Sequence, residues 1–205
     1  MGLFDFLKNK RKIANINQFP EIVEKLLVLL NKAQETAIGT IWRGLETMNI
    51  NWKFDPLKTN PFVIDALYGY QITCLVGFSS QEKLIKSPDI LKFRKELLKQ
   101  IESTTEQSTK IIKEYNQRYL DCWGDIPCLN KKFSEDMIEL YKVPDNKNEV
   151  HEVREMLEDT SVVLALQTQV DTAFVFGNKS LEKQLIKRFK KYLYEESWTS
   201  KLKKK

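Results

Sequence analysis

Residues 19–48, FPEIVEKLLVLLNKAQETAIGTIWRGLETM, decide the fold class. Apolar side chains recur at Val23, Leu26, Leu27, Leu30, Ala37, Ile38, Ile41, Trp42 and Leu45, steps of three and four that gather them on one side of a helix. Pro20 suits a first helical turn, where a missing N–H costs nothing, and Glu21 sits favourably against the positive end of the helix dipole. The segment reads as one long amphipathic helix.

Downstream, residues 49–60 hold Trp52, Phe54 and Pro56 among polar residues and read as a loop that packs its aromatics on the body. Pro61 to Phe78 is apolar over so wide an arc that it suits a central helix buried on most sides, although Gly69 and Gly77 weaken that reading. Ser87-Pro88-Asp89 is a second start signal, a serine cap followed by proline and an acid, and the helical pattern then runs to Cys122. Trp123-Gly124 stops it. A shorter helix is expected over Lys132 to Tyr141, and a polar connector over 143–148.

From Glu149 to Phe176 two periodicities compete. Val153, Leu157, Val163, Leu166, Val170 and Phe174 fit a helix, whereas Leu166, Thr168, Val170, Thr172, Phe174 and Phe176 alternate as a strand does. The strongly helical start and the absence of a partner strand favour helix. Gly177-Asn178 closes it, and a last helix spans Ser180 to Trp198 with Leu181, Leu185, Phe189 and Leu193 on one face. The expectation is an all-α, single-domain bundle of five to six helices covering 1–205, several of them long. Residues 1–18 form a basic amphipathic N-terminal segment and 199–205 a basic tail.

The composition agrees with long elements and few turns: among 205 residues there are only 7 glycines and 6 prolines, while a β-sandwich needs a turn about every 8–12 residues. Cys74, Cys122 and Cys128 lack the spacing of a zinc knuckle or of a Cys-x-x-Cys redox pair, and are expected as free thiols in a reducing cytosol. Asp5 and Lys8 interrupt the apolar start, so no secretory signal is expected. The uncharged run 66–81 is too short and too polar to span a bilayer. A cytoplasmic protein follows, with association to the cytosolic face of a membrane as a variant.

Chemistry is sparse. His151 is the only histidine, which removes paired-histidine zinc sites, and no glycine-bracketed serine or phosphate-binding loop occurs. Glu155 lies four residues beyond His151, so His151, Glu152, Glu155 and Asp159 offer a weak mixed metal site; with Glu135, Asp136 and Glu139 nearby, they would suit a magnesium-dependent nucleotide hydrolase. The plainer reading is a solvated, charge-paired helix face. No catalytic residue and no cofactor are expected. In the helix over 87–122, a seam through Leu97, Ile101, Thr104, Ser108, Ile111 and Tyr115 turns polar in its middle, which marks either a groove or a solvated overhang.

Charge is the most informative property. The net +5 divides into +3 over residues 1–12, +7 over 179–205 and −5 over the body between them. Phe4, Phe6 and Leu7 beside Lys10, Arg11 and Lys12 resemble a weak interfacial anchor with a basic flank. Lys187, Arg188, Lys190 and Lys191 form a second cluster. An acidic body and a modest pI of 8.9 disfavour nucleic acid as a partner. Two ends therefore stand out as surfaces for a protein partner or an anionic membrane. The function expected is a non-catalytic interaction protein, an adaptor, regulatory subunit or inhibitor of the immunity type.

Overall fold

The computed structural model describes residues 13–48, 61–105, 107–143 and 147–202. They form α1 (Phe19–Thr47), α2 (Pro61–Gln81), α3 (Ile90–Thr104), α4 (Thr109–Leu120), α5 (Ile126–Leu140), α6 (Lys147–Val175), α7 (Lys179–Lys191) and α8 (Trp198–Leu202), with no strand among the described residues. The all-α expectation holds, with somewhat more helices than expected because two expected helices are broken. Leu166 to Val175 is helical, within α6, and Phe176 lies in the turn that closes it. Gly177 closes α6 in the left-handed conformation, φ 67°, which glycine adopts without a Cβ clash.

The central element is α2. Helices on every side enclose it, so that Val63, Leu67, Tyr70, Ile72 and Leu75 are fully buried. By length and hydropathy α2 is able to cross a membrane, beyond what residues 66–81 alone suggest, but 89% of its most apolar window is buried inside the protein. A core helix satisfies the same criterion. The two 29-residue helices α1 and α6 flank it and run antiparallel. Gly44 of α1 lies against Met156 of α6, and at the other end the Phe93 ring meets both Phe19 and Phe176, with centroids 5.1 and 6.0 Å apart.

Two apolar clusters result, both built on α1, α2 and α6. One gathers Phe19, Leu26, Leu30, Ile72, Leu75, Phe93 and Leu97. The other gathers Ile41, Leu45, Leu67, Tyr70, Tyr119, Phe133, Met137 and Leu157. Burying α2 also buries its polar side chains, which must find partners inside. Gln34 Nε2 donates to Gln71 Oε1 at 2.8 Å, and Gln71 Nε2 donates to the Leu30 carbonyl. Asn116 Nδ2 donates to Thr73 Oγ1 at 2.7 Å and to the Gly69 carbonyl at 3.3 Å. Tyr70 Oη donates to the Ser161 carbonyl.

The helix expected over 87–122 is instead two helices. Unbroken, it would run about 54 Å, far beyond α2. The chain reverses at 105–108, so that α3 returns along α2 and α4 then runs parallel to it: the Ser108 N–H donates to Asp65, Asn116 meets Gly69 and Trp123 lies on Gly77. The Gln107 amide nitrogen donates to Asp65 Oδ1 at 2.9 Å and to the Pro61 carbonyl at 3.1 Å, and Ser108 caps α4 by accepting from the Ile111 N–H. The polar seam is thus neither groove nor overhang. It is a turn pinned to a buried aspartate.

Three further expectations change. Helix α5 starts at Ile126, six residues before the expected Lys132, because Asp125 accepts from the Cys128 N–H at 3.0 Å and caps it. The last helix does not reach Trp198: α7 ends at Lys191, a π-helical turn spans Tyr192–Glu196, and Ser197 breaks the chain before α8. Ser197 and Ser200 are buried, so the start of the expected basic tail is docked. At the other end, the Ala14 N–H donates to the Leu84 carbonyl, which ties the described end of the basic amphipathic segment 1–18 to the body.

Cys122 and Cys128 are joined in a disulfide, contrary to the expected thiols, because the turn from α4 into α5 brings their Cα atoms to 5.5 Å, within the range a disulfide needs. Only Cys74 is free, and it is buried. Denatured, unreduced protein is expected to titrate one thiol with a chromogenic disulfide reagent, and three after reduction. Finding three before reduction would remove the crosslink.

Gly69 and Gly77 belong in a helix because of what packs on them. A Cβ at Gly69 would lie 2.6 Å from Tyr115 Cβ and 2.8 Å from the Asn116 backbone nitrogen, neither of which can swing away. Gly69→Val should therefore cost about 2 kcal/mol or more by overpacking. Gly39 of α1 has only the flexible Arg43 guanidinium within 4 Å, at 3.7 Å, so Gly39→Ala should stabilise by about 0.5–1 kcal/mol. Urea midpoints of the two variants, moving in opposite directions, check both.

Candidate functional site

Helix α7 displays the basic cluster. Asn178 caps it by accepting from the Leu181 N–H at 3.2 Å, and Leu185 anchors it in the core. Lys187, Arg188, Lys190 and Lys191 are all exposed. Among the described residues only Lys191 of the four is ion-paired, with Glu196 at 3.7 Å. The π-helical turn that follows adds Tyr194, 77% exposed, and Leu193 at 36%. Tyr192 points the other way and donates its hydroxyl to Asp159 Oδ1 at 2.6 Å. That bond ties the basic segment to α6.

The acidic candidates separate on α6. His151 and Glu155 form an exposed pair at 3.7 Å, and Glu152 is also exposed. Asp159 faces inward, held by Tyr192 and by the Trp198 N–H. Asp136 is buried and paired with Arg118 at 2.5 Å, while Glu135 lies 3.9 Å from Lys131. Among the described residues no three His, Cys, Asp or Glu side chains are grouped to hold a metal. The interfacial candidates Phe4, Phe6, Leu7, Lys10, Arg11 and Lys12 lie outside the described residues.

Four carboxyls are held in the body with their pKa raised, in each case chiefly by burial. Three serve the fold: Asp65 receives the 105–108 turn, Asp136 holds Arg118 and the Tyr119 hydroxyl, and Asp159 receives the C-terminal segment. Asp171 differs. Its one hydrogen-bond partner among the described residues is Gln167, one turn back on the same helix, whose Nε2 donates at 2.8 Å. It opens onto a cavity of about 200 Å³ between α1, α6 and α7, whose walls include Leu29, Ala37, Val163, Leu164 and Phe189.

Asp171 escaped sequence reasoning, which looked for clusters of acids. The available signal was isolation: Asp171 is the only charged residue from Thr160 to Asn178, as Asp65 is from Pro61 to Gln81. A lone acid in a long uncharged run is destined for burial, where it needs a specific reason to stay. No family model, curated protein or solved structure matches this chain.

Asp65 supplies a pH test of the buried carboxyls. Burial raises its pKa from the ordinary 3.8 to about 6, against the opposing effect of the Ser108 N–H. The folded state therefore holds a proton that the unfolded state releases. This contribution to stability is complete below about pH 3.8 and lost as pH rises through about 6. Asp65→Asn removes the titration, so its stability relative to the parent should improve steadily from pH 4 to pH 7 in urea titrations. A pH-independent difference would place the Asp65 carboxyl in an ordinary environment.

Proposed function

We propose that this is a non-catalytic interaction protein that docks an acidic surface of a protein partner onto α7 and the turn after it. The reading rests on one observation: Lys187, Arg188 and Lys190 stand exposed, without carboxylate partners among the described residues, beside an exposed tyrosine. Most surface cations on the other helices lie among acids of the same helix, whereas α7 carries six basic residues against one acid. Such a face attracts negative charge at long range and orients it at contact. Tyr194 and Leu193 add the aromatic and apolar contact area typical of the centre of a protein interface. Adaptors, regulatory subunits and inhibitors of the immunity type all work in this way.

The choice of a protein over a membrane or a nucleic acid follows from shape and charge. Two exposed side chains make a small wedge for insertion into lipid, and an acidic body disfavours a long phosphate backbone. Affinity capture from the native cell should return one stoichiometric acidic protein, released by salt and lost with the charge-reversed triple variant K187E/R188E/K190E. In parallel, phosphatidylserine vesicles and single-stranded oligonucleotides should bind more weakly than that protein. A partner retained by the triple variant, or stronger binding to vesicles or oligonucleotide, would overturn the reading.

A further inference from the structure

We infer that the cavity between α1 and α6 is a binding slot for the chain of a small straight-chain primary amine, with its ammonium group held by Asp171. The shape sets the chain. From Leu29 and Asp171 at one end to Thr40 and Thr160 at the other, the seam covers eleven steps on each helix, about 16 Å at 1.5 Å per residue. A volume of about 200 Å³ along that seam leaves room for one unbranched chain. For scale, an apolar cavity of about 150 Å³ admits benzene.

The lining sets the polarity. The three threonines along the slot have their hydroxyls committed within their own helices: Thr36 donates to the Lys32 carbonyl, Thr40 to that of Thr36 and Thr160 to that of Met156. They offer mainly methyl groups to an occupant. Beside aliphatic side chains and Phe189, the polar functions left are the Lys32 side chain, the Gln167 amide, already donating to Asp171, and the Asp171 carboxyl itself.

The carboxyl sets the head group. Asp171 is only 7% exposed, yet among the described residues no lysine, arginine or histidine is ion-paired with it. Lys32 also lines the slot, but it is exposed and forms no ion pair with Asp171. A buried carboxylate without a cation is costly, and it retains acceptor positions after Gln167 has taken one. A primary ammonium brings both the charge and up to three N–H donors, while its alkyl chain follows the apolar slot. A carboxylate head would meet Asp171 with like charge, and an alcohol brings a single donor and no charge.

Calorimetric titration with octylamine, 1-octanol and octanoate tests this on the full-length protein. Octylamine should bind saturably at one site, at least ten-fold more tightly than 1-octanol, with octanoate weakest. Asp171→Asn should weaken octylamine at least ten-fold and leave 1-octanol nearly unchanged. Val163→Phe, which fills the slot from a half-buried position, should weaken both, with folding of each variant verified by circular dichroism. Absence of saturable binding to 1 mM, octanoate binding as tightly as octylamine, or equal octylamine affinity for the parent and Asp171→Asn would each overturn the assignment.

Discussion

The burial of α2 on all sides is the constraint from which the rest of the structure follows. A helix at the surface sends its polar side chains to water; the buried polar groups Asp65, Gln71 and Thr73 of α2 instead take partners from neighbouring elements. Gln71 is met by Gln34 of α1, Thr73 by Asn116 of α4, and Asp65 by the turn between α3 and α4. These bonds add orientation to the non-directional pull of apolar burial. They set which helix lies on which side of α2, and where along it.

The same constraint accounts for the chain reversal at 105–108. Asp65 near the start of α2 needs donors, and the Ser108 N–H and Gln107 amide supply them only if the chain turns there. Once it has turned, α4 runs parallel to α2 and its backbone approaches Gly69 closely enough to exclude any side chain at that position. The corner at the far end of α4 then places Cys122 beside Cys128. A crosslink, a helix break and two glycines inside a helix are consequences of one packing arrangement.

The polar features left over are those the fold does not use. Asp136 and Asp159 are absorbed by Arg118 and Tyr192, whereas Asp171 has, among the described residues, only a neighbour on its own helix and faces a cavity. On the outside, the cations of α7 have little acid to pair with. Phe189 connects the two, since it lines the cavity from the helix that carries those cations. The interior and exterior features thus meet on a single element.

Helical periodicity in residues 19–48, the wide apolar arc after Pro61 and the scarcity of turn residues were enough to read the all-α class and the central helix, because backbone geometry maps spacing directly onto faces. Exposure of the basic cluster was legible for the same reason, with Leu185 and Phe189 marking the opposite side of α7. The break at 105–108, the early start of α5 and the Cys122–Cys128 bond were not legible. Each depends on which distant residue lies opposite, and a one-dimensional pattern carries no such information. Asp171 is the sharpest case: the sequence determined that a lone acid sits in an otherwise uncharged run from Thr160 to Asn178, and only the packing of α1 and α7 against it decided that it faces a cavity with no ion-paired cation among the described residues.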